Sequence, residues 1–358
     1  MSRFVQLHVL TAYPPSNPNR DDLGRPKTAL LGNVPRMRIS SQALKRAIRE
    51  NFDFRAALEG RLGERTQRLG DKVAEHLRAR GLDESRAIEI ARQISGAFGK
   101  IKGEKDDNPA QIEQLAFISP EEKVFAFELA DRAVAGESLP KDKELAQTVL
   151  RKADSAVDIA MFGRMLAGSP EFNREAAVQM AHAITVNRVE VENDYYTAVD
   201  DLKLPTEDAG AGFIGEAGFA AGVFYLYACV DRALLVENLG GDRELAARAI
   251  EALVRALACA SPSGKRNSFG NHVRAEFILA ERGNGQNRIL TNAFIEPVGP
   301  GNQVDLSAAK LEKLRLDFAA VYDKDWDADI RLHVGKEGSA KLDQVARFCA
   351  ENMPGSGA

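Results

Sequence analysis

Residues 4–10 read FVQLHVL, in which Val5, Leu7 and Val9 alternate with Gln6 and His8, the period of a half-buried strand. The stretch that follows, AYPPSNPNRDDLGRPK from Ala12 to Lys27, carries four prolines, a glycine and polar turn residues, so it ends the strand and predicts a long basic loop. At the far end of that loop RMRIS is extended, with Arg36 and Arg38 on one side. Ser40 or Ser41 then caps a helix that begins with Gln42. On this helix Leu44, Ala47 and Ile48 form the core-facing stripe at i, i+3, i+4. Gln42, Lys45 and Arg49 share the opposite face, with Arg46 beside them.

The sequence alternates again further on. AAVQMAHAITVNRVEVE and GFAAGVFYLYACVD read as strands, DRELAARAIEALVRALACA as a helix, and HVRAEFILAE as a further strand. Strand, helix, strand, strand, helix, strand is the order of an α+β, ferredoxin-like core. Between its first helix and second strand, residues 56 to 160 turn helical, with Leu77, Ile90, Ile94, Phe98, Phe125 and Leu129 recurring between charges, which predicts an all-helical insert.

Charge is unevenly spread. The 358-residue chain carries −4 overall, yet residues 1–50 hold nine bases against three acids. That excess predicts an electropositive face of the kind that meets a polyanion. Bases near a helix start are also opposed by its macrodipole, so an external anion would compensate them. Composition alone leaves a phosphate-gripping face and a plain solvated face equally open.

Other chemistry is thinly represented. Cys229, Cys259 and Cys349 are isolated from one another and from the five histidines, so no metal site is expected; the thiols read as buried and the imidazoles as structural. Gly210 to Gly215, GAGFIG, matches a dinucleotide fingerprint in letters but lacks the strand before it and the helix after it. Asp21 and Asp22 could position a metal or water for phosphodiester cleavage, or simply cap a turn. No apolar run approaches a membrane span and no leader precedes the first strand, which predicts a cytoplasmic protein with no membrane partner. Met165, beside Arg164 in the turn FGRMLAG, and Tyr195 and Tyr196 are the side chains suited to separating or stacking bases; core packing for the methionine and a surface pair for the tyrosines are the competing readings.

These motifs together, LHVLTAYPPSNPNRDDLGRPKTA, RISSQALKRAIR, VDIAMFGRM, AHAITVNRVEVENDYYTAVDDL and GVFYLYA, closely resemble the CasC family, the repeating backbone subunit of the type I-E CRISPR Cascade complex. The resemblance runs from Ser2 to about Leu257 and weakens beyond Ser261. It implies a modified ferredoxin-like (RRM-like) palm at 1–55, 161–187 and 219–358, helical fingers at 56–160 and a protruding hairpin thumb at 188–218. It also implies a non-catalytic protein without a cofactor that lines up in several copies along CRISPR RNA. Other Cascade subunits would join it, and the guide would be displayed in segments for pairing with target DNA. Carried over by motif, Lys27, Ser40, Gln42, Lys45, Arg46 and Arg49 would hold guide phosphates, with Arg20 and Arg38 as further candidates, and Arg164, Met165 and Tyr196 would flank a flipped base. The acids Glu190, Glu192, Asp194, Asp200 and Asp201 would face a neighbouring subunit, and a finger helix with only Lys141, Lys143, Arg151 and Lys152 would make poor contacts to a target duplex. The alternative from the enzyme class is a backbone endoribonuclease that cuts complementary RNA with Asp21 or Asp22.

Overall fold

The computed structural model describes residues 2–198 and 213–355. Its frame is an antiparallel sheet. Strand β1 (Phe4–Ser16) is followed by the hairpin β2 (Thr28–Leu31) and β3 (Val34–Ile39), then by helices α1 (Ser41–Glu50) and α2 (Phe52–Ala57). The β2–β3 turn is Gly32–Asn33, both residues at φ +59°, as a two-residue type I′ turn requires.

The next segment holds β4 (Glu64–Thr66), α3 (Leu69–Ala79), α4 (Glu84–Gly96), β5 (Ala116–Ile118), α5 (Pro120–Val134) and α6 (Asp142–Val149). It has a core of its own, in which Val73, Leu77, Ile90, Ile94, Phe98 and Leu129 are buried together. The ribbon formed by β4 and β5 means that this insert is not all-helical, as its periodicity predicts. α5 starts on a full capping box, with Ser119 and Glu122 exchanging hydrogen bonds and Pro120 in the first turn.

The chain then returns to the sheet through α7 (Val157–Phe162), β6 (Val178–Met180), β7 (Ala183–Thr185), β8 (Glu192–Ala198) and β9 (Phe213–Asp231). It ends with α8 (Arg232–Asn238), α9 (Arg243–Cys259), α10 (Arg266–Phe269), β10 (Phe277–Gly283), α11 (Gln303–Tyr322), β11 (Ala328–His333) and α12 (Leu342–Ala350). Spatial order in the sheet is β11-β10-β1-β9-β7-β3-β2, with every described pair antiparallel.

The expectation of a half-buried first strand is overturned. Val5, Leu7 and Val9 pack under α1, α9 and α12, but Gln6 and His8 on the other face are buried as well. The cover there is α11 and the segment around Leu290 and Phe294. Burial of polar groups requires partners: Tyr227 donates to Gln6 Oε1 at 2.8 Å, and the His8 ring lies 2.9 Å from the Tyr225 hydroxyl and 3.2 Å from Glu281. Burial pushes the Glu281 carboxyl up, and His8, Arg288 and Arg315 more than reverse that. Nor does β1 stop at Ala12: it runs through Pro14 and Pro15 to Ser16, with the register shift between Tyr13 and Ser16 accommodating residues that cannot donate to the ladder.

Candidate nucleic-acid interface

Ser40 is the cap of α1. Its Oγ accepts from Ala43 N at 3.3 Å, and its own N–H donates to Asn19 Oδ1 at 2.8 Å, which ties the basic loop to the helix start. Leu44 and Ile48 are buried and hold the helix against the sheet. Ala47, expected in that stripe, is only half-buried and faces a groove. The first turn carries no acid. Gln42 is exposed. Lys45 is half-buried, with Nζ 5.4 Å from the centre of the Phe162 ring, and burial pushes its ammonium pKa down. Arg46 is exposed and pairs with Glu50 one turn on, at 2.7 Å.

Arg49 is differently employed. Its Nε donates to Asp158 at 2.9 Å and its guanidinium lies 4.3 Å from the centre of the Phe117 ring. Asp158 is buried, which pushes its carboxyl up, and it also accepts from Gly63 N at 2.7 Å. Arg49 is therefore a strut between α1, α7 and the start of the inserted unit, and the phosphate role expected for it is not what this geometry serves.

The turn FGRMLAG splits. Arg164, expected beside a flipped base, has a side chain only 1% exposed and forms a buried pair with Glu122; its guanidinium also donates to the carbonyls of Phe117, Arg151 and Phe172. A cation so enclosed cannot reach an external ligand. Met165, the next residue, is 81% exposed. Arg151 is likewise taken, donating to the carbonyls at the end of α6 and lying 3.8 Å from the centre of the Phe125 ring.

Lys27 and Arg38 meet across the hairpin, where Arg38 N donates to the Lys27 carbonyl at 2.7 Å. Arg38 Nη1 also lies 2.7 Å from His182 Nδ1, because β3 pairs with β7 and sets Arg38 opposite Ile184. His182 is a neighbour of Arg38 that sequence reading missed: its position depends on a strand pairing across 144 residues, and no local spacing signals that. Arg36, two residues before Arg38, is fully buried instead and donates to the carbonyls of Thr185, Val186, Phe294 and Ile295.

Arg20 is exposed in the loop, bridged to Pro26. Asp21 Oδ1 accepts from Leu23 N and Arg25 N at 3.0 and 2.9 Å, so its carboxylate closes the turn. Between this loop, the Ala43/Ala47 side of α1 and residues 259–266 lies an open groove of about 840 Å³ in which Arg20, Arg46 and Arg266 are matched by Asp21, Asp22 and Glu50. That side of α1 is thus balanced in charge. Cys259, expected to be buried, is exposed at its edge.

β8 pairs with residues 213–219, the part of β9 ahead of its pairing with β1, as a two-stranded ribbon in which every residue of β8 is exposed. Tyr196 stands opposite Gly215 and Tyr195 opposite Glu216, so the two rings leave opposite faces. Glu190 pairs with Arg188 at 3.0 Å; Asp200 and Asp201 lie outside the described residues. So does the first half of GAGFIG, while Phe213 to Gly215 are strand, which gives no turn into a helix for a pyrophosphate. Among the described residues no helix is long and apolar enough to cross a membrane, and no three acidic, histidine or cysteine side chains gather as a metal site.

Three comparisons bear on this geometry. No curated protein matches the chain. Among solved structures it is similar to a chain of a "CRISPR RNA-guided surveillance complex, pre-nicking", with 30% identity and a TM-score of 0.85 over 97% of this chain and 99% of that one. It is also similar to a chain of a "CRISPR RNA-guided surveillance complex", with 26% identity and a TM-score of 0.73 over the same shares. The family model described as CT1975-like protein matches residues 5–352, so the likeness does not fade after Ser261 but includes the elements that cover the second face of the sheet. By this match and by the motifs that resemble CasC, the chain belongs to the CT1975-like family of CasC-type CRISPR proteins.

Proposed function

We propose that the chain is a non-catalytic, CRISPR RNA-binding backbone subunit of a type I-E surveillance complex. It repeats as a filament along the guide, works in the cytoplasm with the other subunits, and leaves segments of guide free to pair with target DNA. The observation that carries this reading is the stretch from Lys27 to Lys45. Lys27, Arg38 and Lys45 have no carboxylate partner among the described residues, and Gln42 adds an exposed amide on the same helix face as Lys45. Uncompensated cations along a sheet edge and a helix start suit a sugar-phosphate backbone held without regard to base.

The remaining parts have assignments that follow from this. The order β10-β1-β9-β7, with α1 and α9 layered on one face, supports a ferredoxin-like palm; α3 to α6 are the fingers and the β8–β9 ribbon the thumb. Met165 and Tyr196 wedge against bases beside a flipped nucleotide. Use of the Asp21 carboxylate as a turn cap favours a subunit that holds RNA over one that cuts it.

Co-expression with the other Cascade subunits and a CRISPR array tests the proposal. The chain is expected to co-purify in a large particle with a guide RNA of discrete length. A monomer free of nucleic acid under those conditions would overturn it.

A further inference from the structure

The surface around Arg38 carries more than the motif reading asked of it. Arg38 comes from β3, Lys27 from the loop ahead of β2, and His182 from the turn between β6 and β7. They converge with no carboxylate partner among the described residues. Arg38 Nη1 donates to His182 Nδ1, so the neutral ring carries its proton on Nε2. Arg38 and Lys27 are the charged groups that face this ring, and partial burial, then their two charges, push its pKa below the ordinary histidine value.

Resting on the reading above, we propose that His182 is a guide-contacting residue, forming with Arg38 and Lys27 a seat for one phosphate of the RNA backbone. The geometry of protonation supports this. A proton placed on Nδ1 turns that nitrogen from acceptor to donor, so the Arg38 and His182 N–H groups then oppose each other across 2.7 Å. An acceptor oxygen carrying negative charge relieves the conflict, and Lys27 adds a third cation. The phosphate raises the pKa that its absence leaves depressed. Guide binding at this seat therefore takes up a proton.

The free ring is neutral above its lowered pKa, and the occupied ring holds its proton to higher pH. Affinity is therefore gained as pH falls through the interval between the two values, at up to about tenfold per pH unit for one linked proton.

The test uses the assembled complex with its co-expressed guide, measuring the salt concentration that releases RNA across a pH series that includes pH 6 and pH 8. The wild type is expected to hold its guide to higher salt at pH 6. His182→Gln keeps an acceptor for Arg38 but cannot titrate, and is expected to release at nearly the same salt at both values. A second variant, Lys27→Gln, removes one cation facing the ring and is expected to move the midpoint of the pH dependence upward. Equal pH dependence in wild type and His182→Gln, or an unmoved midpoint in Lys27→Gln, would overturn the seat while leaving the backbone-subunit reading intact. A wild-type particle without guide would remove both.

Discussion

Two regions of the molecule use the same side chains to opposite ends. Where the sheet meets the inserted helical unit, Arg49, Arg164 and Arg174 are paired with Asp158, Glu122 and Asp154, the last two pairs fully enclosed. Along the edge from Lys27 to Lys45, the cations have no such acids. What separates a joint from an interface is thus a carboxylate supplied from elsewhere in the chain. For Arg49 it comes from 109 residues away, and for Arg164 from 42. Arg36 shows the limiting case, an interior guanidinium held by four carbonyls and, among the described residues, by no acid.

The comparison breaks most visibly at Arg164. Arg164→Met leaves the buried Glu122 carboxyl without its partner, and removing one member of a buried pair costs about 3–5 kcal/mol. A urea titration of the purified chain should show a lower midpoint and an unfolding free energy lower by that amount. Replacing both members with apolar residues should recover much of the loss. If Arg164→Met instead kept its midpoint and weakened guide retention, the division between the two regions would be wrong.

Arg49 tests the boundary itself, because it shares a helix face with Gln42 and Lys45. Arg49→Gln removes the ion pair to Asp158 and the contact with Phe117, yet Asp158 still accepts from Gly63 N. A loss of about 1–3 kcal/mol in stability is expected, the scale of one hydrogen bond to a charged group. The salt dependence of guide release should not move. A reduced salt slope at unchanged stability would return Arg49 to the phosphate side.

The sequence carried the first strand, a serine cap at the start of α1 and the Leu44/Ile48 stripe, because each depends on residues within a turn or two of one another. It could not show that Arg164 lies inside while Met165 lies outside, since the burial of Arg164 is set by Glu122 on α5. Nor could it show that Gln6 and His8 are covered, since the cover is folded from residues near 290 and from α11. Ala47 was misjudged for a local reason: alanine suits both a core stripe and the wall of a groove. The α+β class was legible; the β4–β5 ribbon was not, since three-residue strands leave almost no periodicity.

The smallest expected effect is at Lys45, and it is the most selective. Its amine is partly desolvated, which lowers its pKa, and it rests against the Phe162 ring with no acid partner among the described residues. Such a cation gains little from the fold and much from an external anion. Lys45→Gln keeps most of the side chain and removes the charge, so stability should stay within about 0.5 kcal/mol. The log-log salt slope of RNA binding should fall by about 0.7 per subunit, the single-strand value for one phosphate contact. Lys45→Arg should restore the slope. A slope unchanged in Lys45→Gln would place Lys45 with Arg49 and Arg164, as a cation whose work is done within the fold.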